Sequence, residues 1–229
     1  NINPKATFHN LDICGDSEDL IAALKGIDVV FHLAALARVQ PSITDPVYFD
    51  KVNTNGTVNL LKSCVDAGVK KVVYSASSSC YGDATVFPTP ETHSTNPLSP
   101  YGERMNFEGA YKLVLAIFID QHKNNQPLTI TNTGDQRRDF TYVGDVVDAN
   151  ILAAEHSKEL KGDSFNIGNG DNFSVNEIAD MFGGEKSYGI KFLEPFQTLA
   201  DNSKAKSILG WNPKGDLKQW IKDYLDKIS

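Results

Sequence analysis

Two short apolar runs with a helical stretch between them constrain this chain more than anything else in its sequence. Asp28-Val29-Val30-Phe31-His32-Leu33 and Lys70-Lys71-Val72-Val73-Tyr74 read as buried parallel strands, because their apolar residues run on instead of alternating with polar ones. Between them, residues 46 to 67 carry apolar side chains at helical spacing and stop at Gly68, the residue type that most readily ends a helix. Strand, helix and strand at this spacing predict a βαβ unit, and units of that kind build a doubly wound parallel sheet. The expected fold class is therefore α/β.

Other elements are legible with the same tools. Phe8 to Ile13 looks like the end of a strand, and Ser17 to Leu24 looks like a helix capped by Ser17, with Glu18 and Asp19 in its first turn. Later in the chain the patterns predict a helix from Leu113 to His122, a short strand at Leu128-Thr129-Ile130 and a helix from Val143 to His156. A strand at Phe165-Asn166-Ile167-Gly168 follows, then a helix from Ser174 to Met181 that opens on an N-cap. Helices over 203–209 and 217–228 flank Gly210-Trp211-Asn212-Pro213.

Composition narrows the functional classes. A chain of 229 residues can bury one sizeable core, or one core with an appended lobe. A net charge of −7 makes nucleic acid and anionic membranes poor partners, yet leaves open a nucleotide held by a few placed basic groups. Cys14, Cys64 and Cys80 show neither paired nor metal-ligand spacing, which suits reduced thiols and a cytoplasmic setting. No apolar run reaches the roughly 18 residues of a membrane span. The five histidines have no metal-ligand spacing, so no metal is expected, and His32 reads as a packed core residue.

The chemistry concentrates after the second strand. Open α/β sheets hold ligands at the carboxyl ends of their strands, and there this chain places Ser75-Ala76-Ser77-Ser78-Ser79-Cys80-Tyr81-Gly82. About twenty residues later comes Asn96-Pro97-Leu98-Ser99-Pro100-Tyr101-Gly102. Together these stretches resemble the serine and tyrosine of the extended short-chain dehydrogenase/reductase family, the nucleotide-sugar epimerases and dehydratases. The resemblance runs from Asp12 to Trp211.

It implies a Rossmann-like sheet over 1–112 that binds NAD, and a smaller α/β substrate lobe over 113–229, with 140–170 returning to the first domain. It also implies that Ser77 and Tyr101 are the catalytic pair. Oxidising a secondary alcohol needs a base for the hydroxyl proton and a partner for the oxygen as it becomes a carbonyl. An unperturbed tyrosine ionises near pH 10, so a tyrosinate at neutral pH needs roughly three units of depression from some cation. The family supplies a lysine four residues after its tyrosine. Here that position is Met105.

The rhythm also breaks after Tyr101, where a crossover and strand of about 30 residues are expected. The Gly-rich turn of a first βαβ unit is absent ahead of Asn1, since Gly15 and Gly26 do not form it. The chain therefore reads as ordered segments of a longer protein, with a degenerate, non-catalytic binding homologue as the alternative. A third gap is expected near Glu194-Pro195-Phe196-Gln197, where the family has a basic residue before a turn.

The remaining site residues follow from the resemblance. Asp12 and Ile13 match the adenine-contacting pair, although Asp12 alone would equally suit a solvated turn. Leu33, Ala34, Ala35 and Leu36 match the strand end along the dinucleotide, although Ala34 and Ala35 alone would suit plain packing. Asn53, with Gly56 and Thr57, matches a cofactor-side N-x-x-G-T pattern, and Ser75 joins the same set.

On the substrate side the resemblance implies Ser77, Ser78, Val114, Thr129, Thr131 and Arg138. Arg138 lies in Gln136-Arg137-Arg138-Asp139-Phe140-Thr141-Tyr142-Val143, and its fork suits a diphosphate, with an Arg138–Asp139 surface pair as the alternative. After Ser77 come Ser78 and Ser79 in place of the acid–base carboxylates of dehydratases. The implied activity is thus epimerisation of a UDP-hexose at C4 through a transient 4-keto sugar. Other nucleotide-sugar enzymes of the family, namely a UDP-N-acetylhexosamine epimerase, a decarboxylase or a reductase, remain alternatives. A homodimer paired through its long helices is expected by the same analogy.

Overall fold

The computed structural model describes residues 3–36, 42, 44–76, 81, 84–93, 113–191 and 196–228. Two compact units divide it, Asn1–Ala76 and Ser77–Ser229.

The first unit is built on the expected βαβ element. Strand β1 (Val29–His32) pairs in parallel with β2 (Lys71–Tyr74), residue Val29 opposite Lys71 and His32 opposite Tyr74. Helix α1 (Ser17–Leu24) precedes them. Its cap is Asp16 rather than Ser17, the Asp16 carboxylate accepting the Glu18 N–H at 2.9 Å. An extended Asp outside the helix can reach the second amide, which corrects the assignment by one residue.

From Pro46 onward the crossover from β1 to β2 is helical, with three successive described pieces. Helix α2 (Pro46–Asp50) begins with proline at its first turn, a π-helical stretch Lys51–Gly56 widens the coil, and α3 (Thr57–Ala67) completes it. Leu60, Ser63 and Cys64 form the buried stripe of α3, and α1 packs against this helix. Gly68 ends α3 at φ 79°, where its N–H turns back to the Cys64 and Val65 carbonyls. The expected strand end at residues 8–13 is irregular instead: among the described residues no strand pairs with it, and Phe8 is 67% exposed.

The second unit gathers its core from α4 (Val114–Lys123), β3 (Leu128–Thr131), α6 (Val175–Phe182) and α7 (Leu217–Ile228). Leu115, Phe118 and Ile119 on α4 meet Leu128 and Ile130 of β3, whose alternate residues point inward. β4 (Arg137–Arg138) pairs antiparallel with β5 (Phe173–Ser174). Ser174 then caps α6 in a capping box with Glu177, which holds the Glu177 carboxyl below its ordinary range chiefly through the Ser174 N–H.

A strand not expected from the sequence, β6 (Lys186–Ile190), pairs in parallel with β3. The expected strand at 165–168 is irregular instead. The Asn166 N–H donates to Glu91 Oε1 at 2.7 Å, and its side-chain amide donates to the carbonyls of Thr89 and Asp201.

A satellite core closes around Trp211, with Ala149 of helix α5 (Val143–Glu155) and with Ala205 and Leu209 of a π-helical turn, Ala205–Leu209. Buried Asp145 ties it together. Its carboxylate accepts the N–H groups of Lys214 at 3.0 Å and Gly215 at 2.8 Å, while its carbonyl accepts the Trp211 indole N–H at 2.8 Å. Replacing Asp145 by Ala leaves two backbone donors without their acceptor. The expected loss in urea unfolding is about 1–3 kcal/mol, and an unchanged midpoint would refute the clamp.

Candidate functional site

The carboxyl end of β1 is held by one face of the π-helical stretch and α3. His32, 2% exposed, stacks on Tyr74 with ring centroids 5.2 Å apart and meets the Thr57 hydroxyl at 2.9 Å through Nε2. The Thr57 hydroxyl donates to the Asn53 carbonyl at 2.7 Å. The Asn53 side-chain amide in turn pairs with the Leu36 backbone in both directions, accepting its N–H at 2.8 Å and donating to its C=O at 2.9 Å. Between these anchors Leu33, Ala34 and Ala35 are exposed, Leu33 by 66%. The Ser75 N–H donates to the His32 carbonyl at 3.1 Å, so the chain leaves β2 alongside this segment.

Asp12 and Ile13 occupy a tight turn beside the same helix. The Asp12 carboxylate accepts the Cys14 N–H at 2.9 Å, and Asn59 Nδ2 donates to the carbonyls of Ile13 and Gly15. A Cβ on Gly56 would stand 2.9 Å from Ile13 and 3.0 Å from Cys14 Sγ, so any larger residue would push these side chains aside.

In the second unit, Arg138 is 7% exposed and its Nη1 donates to the carbonyls of Arg137 and Phe196. Arg137 is spent on structure: it holds Asn172 through Nε and Nη2 and the Glu177 carboxylate through Nη1 at 2.9 Å. Asp139 does not form the surface pair with Arg138 that the sequence left open. Its carboxylate accepts the N–H groups of Asn169, Gly170 and Ala200 within 3.1 Å, and burial, opposed by these donors, pushes its pKa up. It borders a cavity of about 90 Å³ with Tyr81, Thr141, Asn166 and Thr198. The Tyr81 hydroxyl donates to Asn166 Oδ1.

Thr129 exchanges hydrogen bonds with Gln121, Thr131 accepts from the Gln136 amide, and Val114 packs on the core. Ser77, Ser78 and Tyr101 lie outside the described residues. Asp139 and Asn166 were not singled out from the sequence as organising residues; the R-D-F context was the available signal for Asp139. Among the described residues no cluster of three or more His, Cys, Asp or Glu could hold a metal ion, and no helix is long and apolar enough to cross a membrane.

A parallel βαβ pair with a small-residue, exposed backbone at its strand end fits a dinucleotide, which needs close backbone approach there. These features define a Rossmann-like α/β protein. Comparisons make this specific. The model of the NAD dependent epimerase/dehydratase family matches residues 1–104 and 94–168, two pieces that meet where the sequence rhythm breaks. A relative from Methanocaldococcus jannaschii, provisionally named a UDP-glucose 4-epimerase, is 36% identical over 261 residues, covering 97% of this chain and 84% of the relative.

The solved UDP-glucose 4-epimerase of Thermotoga maritima with UDP-glucose matches at a TM-score of 0.88 and 30% identity, over 99% of this chain and 86% of that one. The UDP-glucuronic acid 4-epimerase of Bacillus cereus, with UDP-glucuronic acid and NAD, matches at 0.85 and 27%, over 100% and 84%. The chain belongs to the NAD-dependent epimerase/dehydratase family. Its cofactor is NAD.

Burial lowers the pKa of His32 below its ordinary 6.5, so the fold favours the neutral ring. The unfolded chain therefore binds the proton more readily. The stability due to neutral His32 is complete above pH 6.5, falls as pH drops below that value, and levels off below the folded-state pKa. Urea unfolding at pH 7.5 and pH 5.5 should show a larger acid loss for the wild type than for His32→Gln. Equal losses would refute a buried neutral ring.

Proposed function

We propose that this NAD-dependent nucleotide-sugar epimerase inverts C4 of a UDP-hexose, interconverting UDP-glucose and UDP-galactose through a transient 4-keto sugar. The observation that carries the choice is the serine stretch itself. Ser78 and Ser79 follow Ser77 with no carboxylate, so the machinery for eliminating water or carbon dioxide is not at hand. The names of the relatives support the same reaction class.

In this reading Tyr101 takes the proton of the 4-hydroxyl and Ser77 hydrogen-bonds the reacting oxygen, with Ser78 beside it. NAD, when bound, would supply reversible hydride acceptance at C4, so that no net reduction results. Tyr101 must ionise under the influence of a nearby cation, in the family a lysine four residues on, a place taken here by Met105 in the stretch where the sequence rhythm breaks. Asp12, Ile13, the segment 33–36, Asn53 and Ser75 serve the cofactor side. The substrate lobe over 113–229 takes the nucleotide sugar, with Val114, Thr129 and Thr131 near the nucleotide and Arg138 on its diphosphate. Arg138 suits that role because it is already buried and oriented by two carbonyls, which lowers the entropic cost of gripping phosphate.

Two copies would pair through the crossover helix. Val58, Leu61 and Val65 lie exposed on one face of α3, a stripe of the kind that a partner covers. A cytoplasmic setting accords with the free thiols of Cys14 and Cys64.

Purified protein incubated with UDP-galactose should yield UDP-glucose by chromatography without accumulating NADH. Turnover of UDP-glucuronate or UDP-N-acetylglucosamine alone would move the assignment to that sugar, and net NADH would replace epimerisation by oxidation. Arg138→Lys should raise KM for the nucleotide sugar by about tenfold or more, because an ammonium cannot reproduce the bidentate fork.

A further inference from the structure

The structure assigns to Asn53, Thr57 and His32 a shared task that no single one of them performs: they hold the strip Leu33-Ala34-Ala35 in place as a ready backbone surface for the dinucleotide. The inference rests on the proposed cofactor side of the site and adds to it three positioning residues. Asn53 and Thr57 are four residues apart on one helix face, and they hold residues 36 and 32, which are four apart on an extended segment. Both ends of the strip are thereby fixed to one rigid element, while the three residues between are exposed.

The donors and acceptors can be counted. Thr57 has one hydroxyl hydrogen, and it goes to the Asn53 carbonyl. This is the back-bond that a helical threonine commonly makes to the carbonyl four residues earlier, while the Thr57 N–H goes to Thr54. The Thr57 oxygen can then only accept from His32, so the neutral ring carries its proton on Nε2 and leaves Nδ1 bare. At the other end, the planar amide of Asn53 matches a peptide group and satisfies both polar groups of Leu36, as a neighbouring strand would.

The amide so committed acts through Leu36, and the cofactor meets the backbone that it holds. A strip pinned in this way loses little entropy on binding, so its pins appear in affinity for the dinucleotide.

The test is binding of NAD and, separately, of UDP to the whole chain by calorimetry. Asn53→Ala and Thr57→Val should weaken NAD about tenfold or more, while Thr57→Ser, which keeps the hydroxyl, stays within about twofold of wild type. UDP, whose proposed partner Arg138 lies in the other unit, should bind all three variants as it binds wild type. Asn53→Asp keeps the acceptor for the Leu36 N–H but loses the donor to its C=O, and should fall between wild type and Asn53→Ala.

Folded variants that bind NAD as wild type does overturn the proposal. So does a parallel loss of NAD and UDP in Thr57→Val together with Asn53→Asp, which marks a general structural role. Wild type that binds UDP but no NAD overturns the cofactor reading itself, and unaltered UDP binding in Arg138→Ala overturns the substrate reading while leaving the pins standing.

Discussion

The parallel pairing of β1 with β2 is the constraint on which the described part of the site depends. Because the two strands run the same way, their carboxyl ends finish side by side, with His32 opposite Tyr74 and the two rings stacked. An antiparallel pair would have sent these ends to opposite edges. Parallel strands also require a crossover of a dozen residues or more, and here the crossover is the helix that carries Asn53 and Thr57. The topology therefore delivers, with the strands, the element that pins the segment leaving them.

The second unit solves a different problem, since its buried polar side chains serve loops rather than strand ends. Loops need their backbone groups satisfied, and buried side chains do it here. Asp139 collects three backbone N–H groups from two segments, Asn166 bridges Thr89 and Asp201, and Asp145 closes the turn at Lys214 and Gly215. Gly168 packs so near Asp139 that a Cβ there would stand 2.8 Å from the carboxylate oxygen. The energetic asymmetry favours such clasps: a made hydrogen bond contributes about 1 kcal/mol, whereas an orphaned buried partner costs as much or more. Arg138 sits within this clasped region and inherits its rigidity.

Regular periodicity made most elements legible in advance. β1, β2, β3, α5, α6 and the long crossover all carry apolar runs or helical stripes at the spacing of their element. The misses have a common cause. Lys186-Ser187-Tyr188-Gly189-Ile190 looks too polar for a strand and becomes one only because β3 needs a neighbour, a tertiary effect. Phe165-Asn166-Ile167 looks like a strand and is irregular instead, with the Asn166 N–H taken by the Glu91 carboxylate. Asp16 displaced Ser17 as cap because two capping residues stand in succession and propensity does not choose between them.

The N-x-x-G-T pattern shows what a site motif is in physical terms. Read from sequence, the pattern suggested a cofactor contact at Asn53. In the fold each of its three residues faces a different part of the protein: Asn53 takes the Leu36 backbone, Gly56 admits Ile13 and Cys14, and Thr57 links His32 to the helix. The spacing follows from this division of labour, since positions three and four apart on a coil share a face and can bracket the turn on one side and the strand end on the other. A substitution at any of the three would be felt first by a neighbouring segment and only then by the ligand. Under the proposed cofactor reading, such a motif specifies the shape of a backbone more than it specifies the groups that touch a ligand.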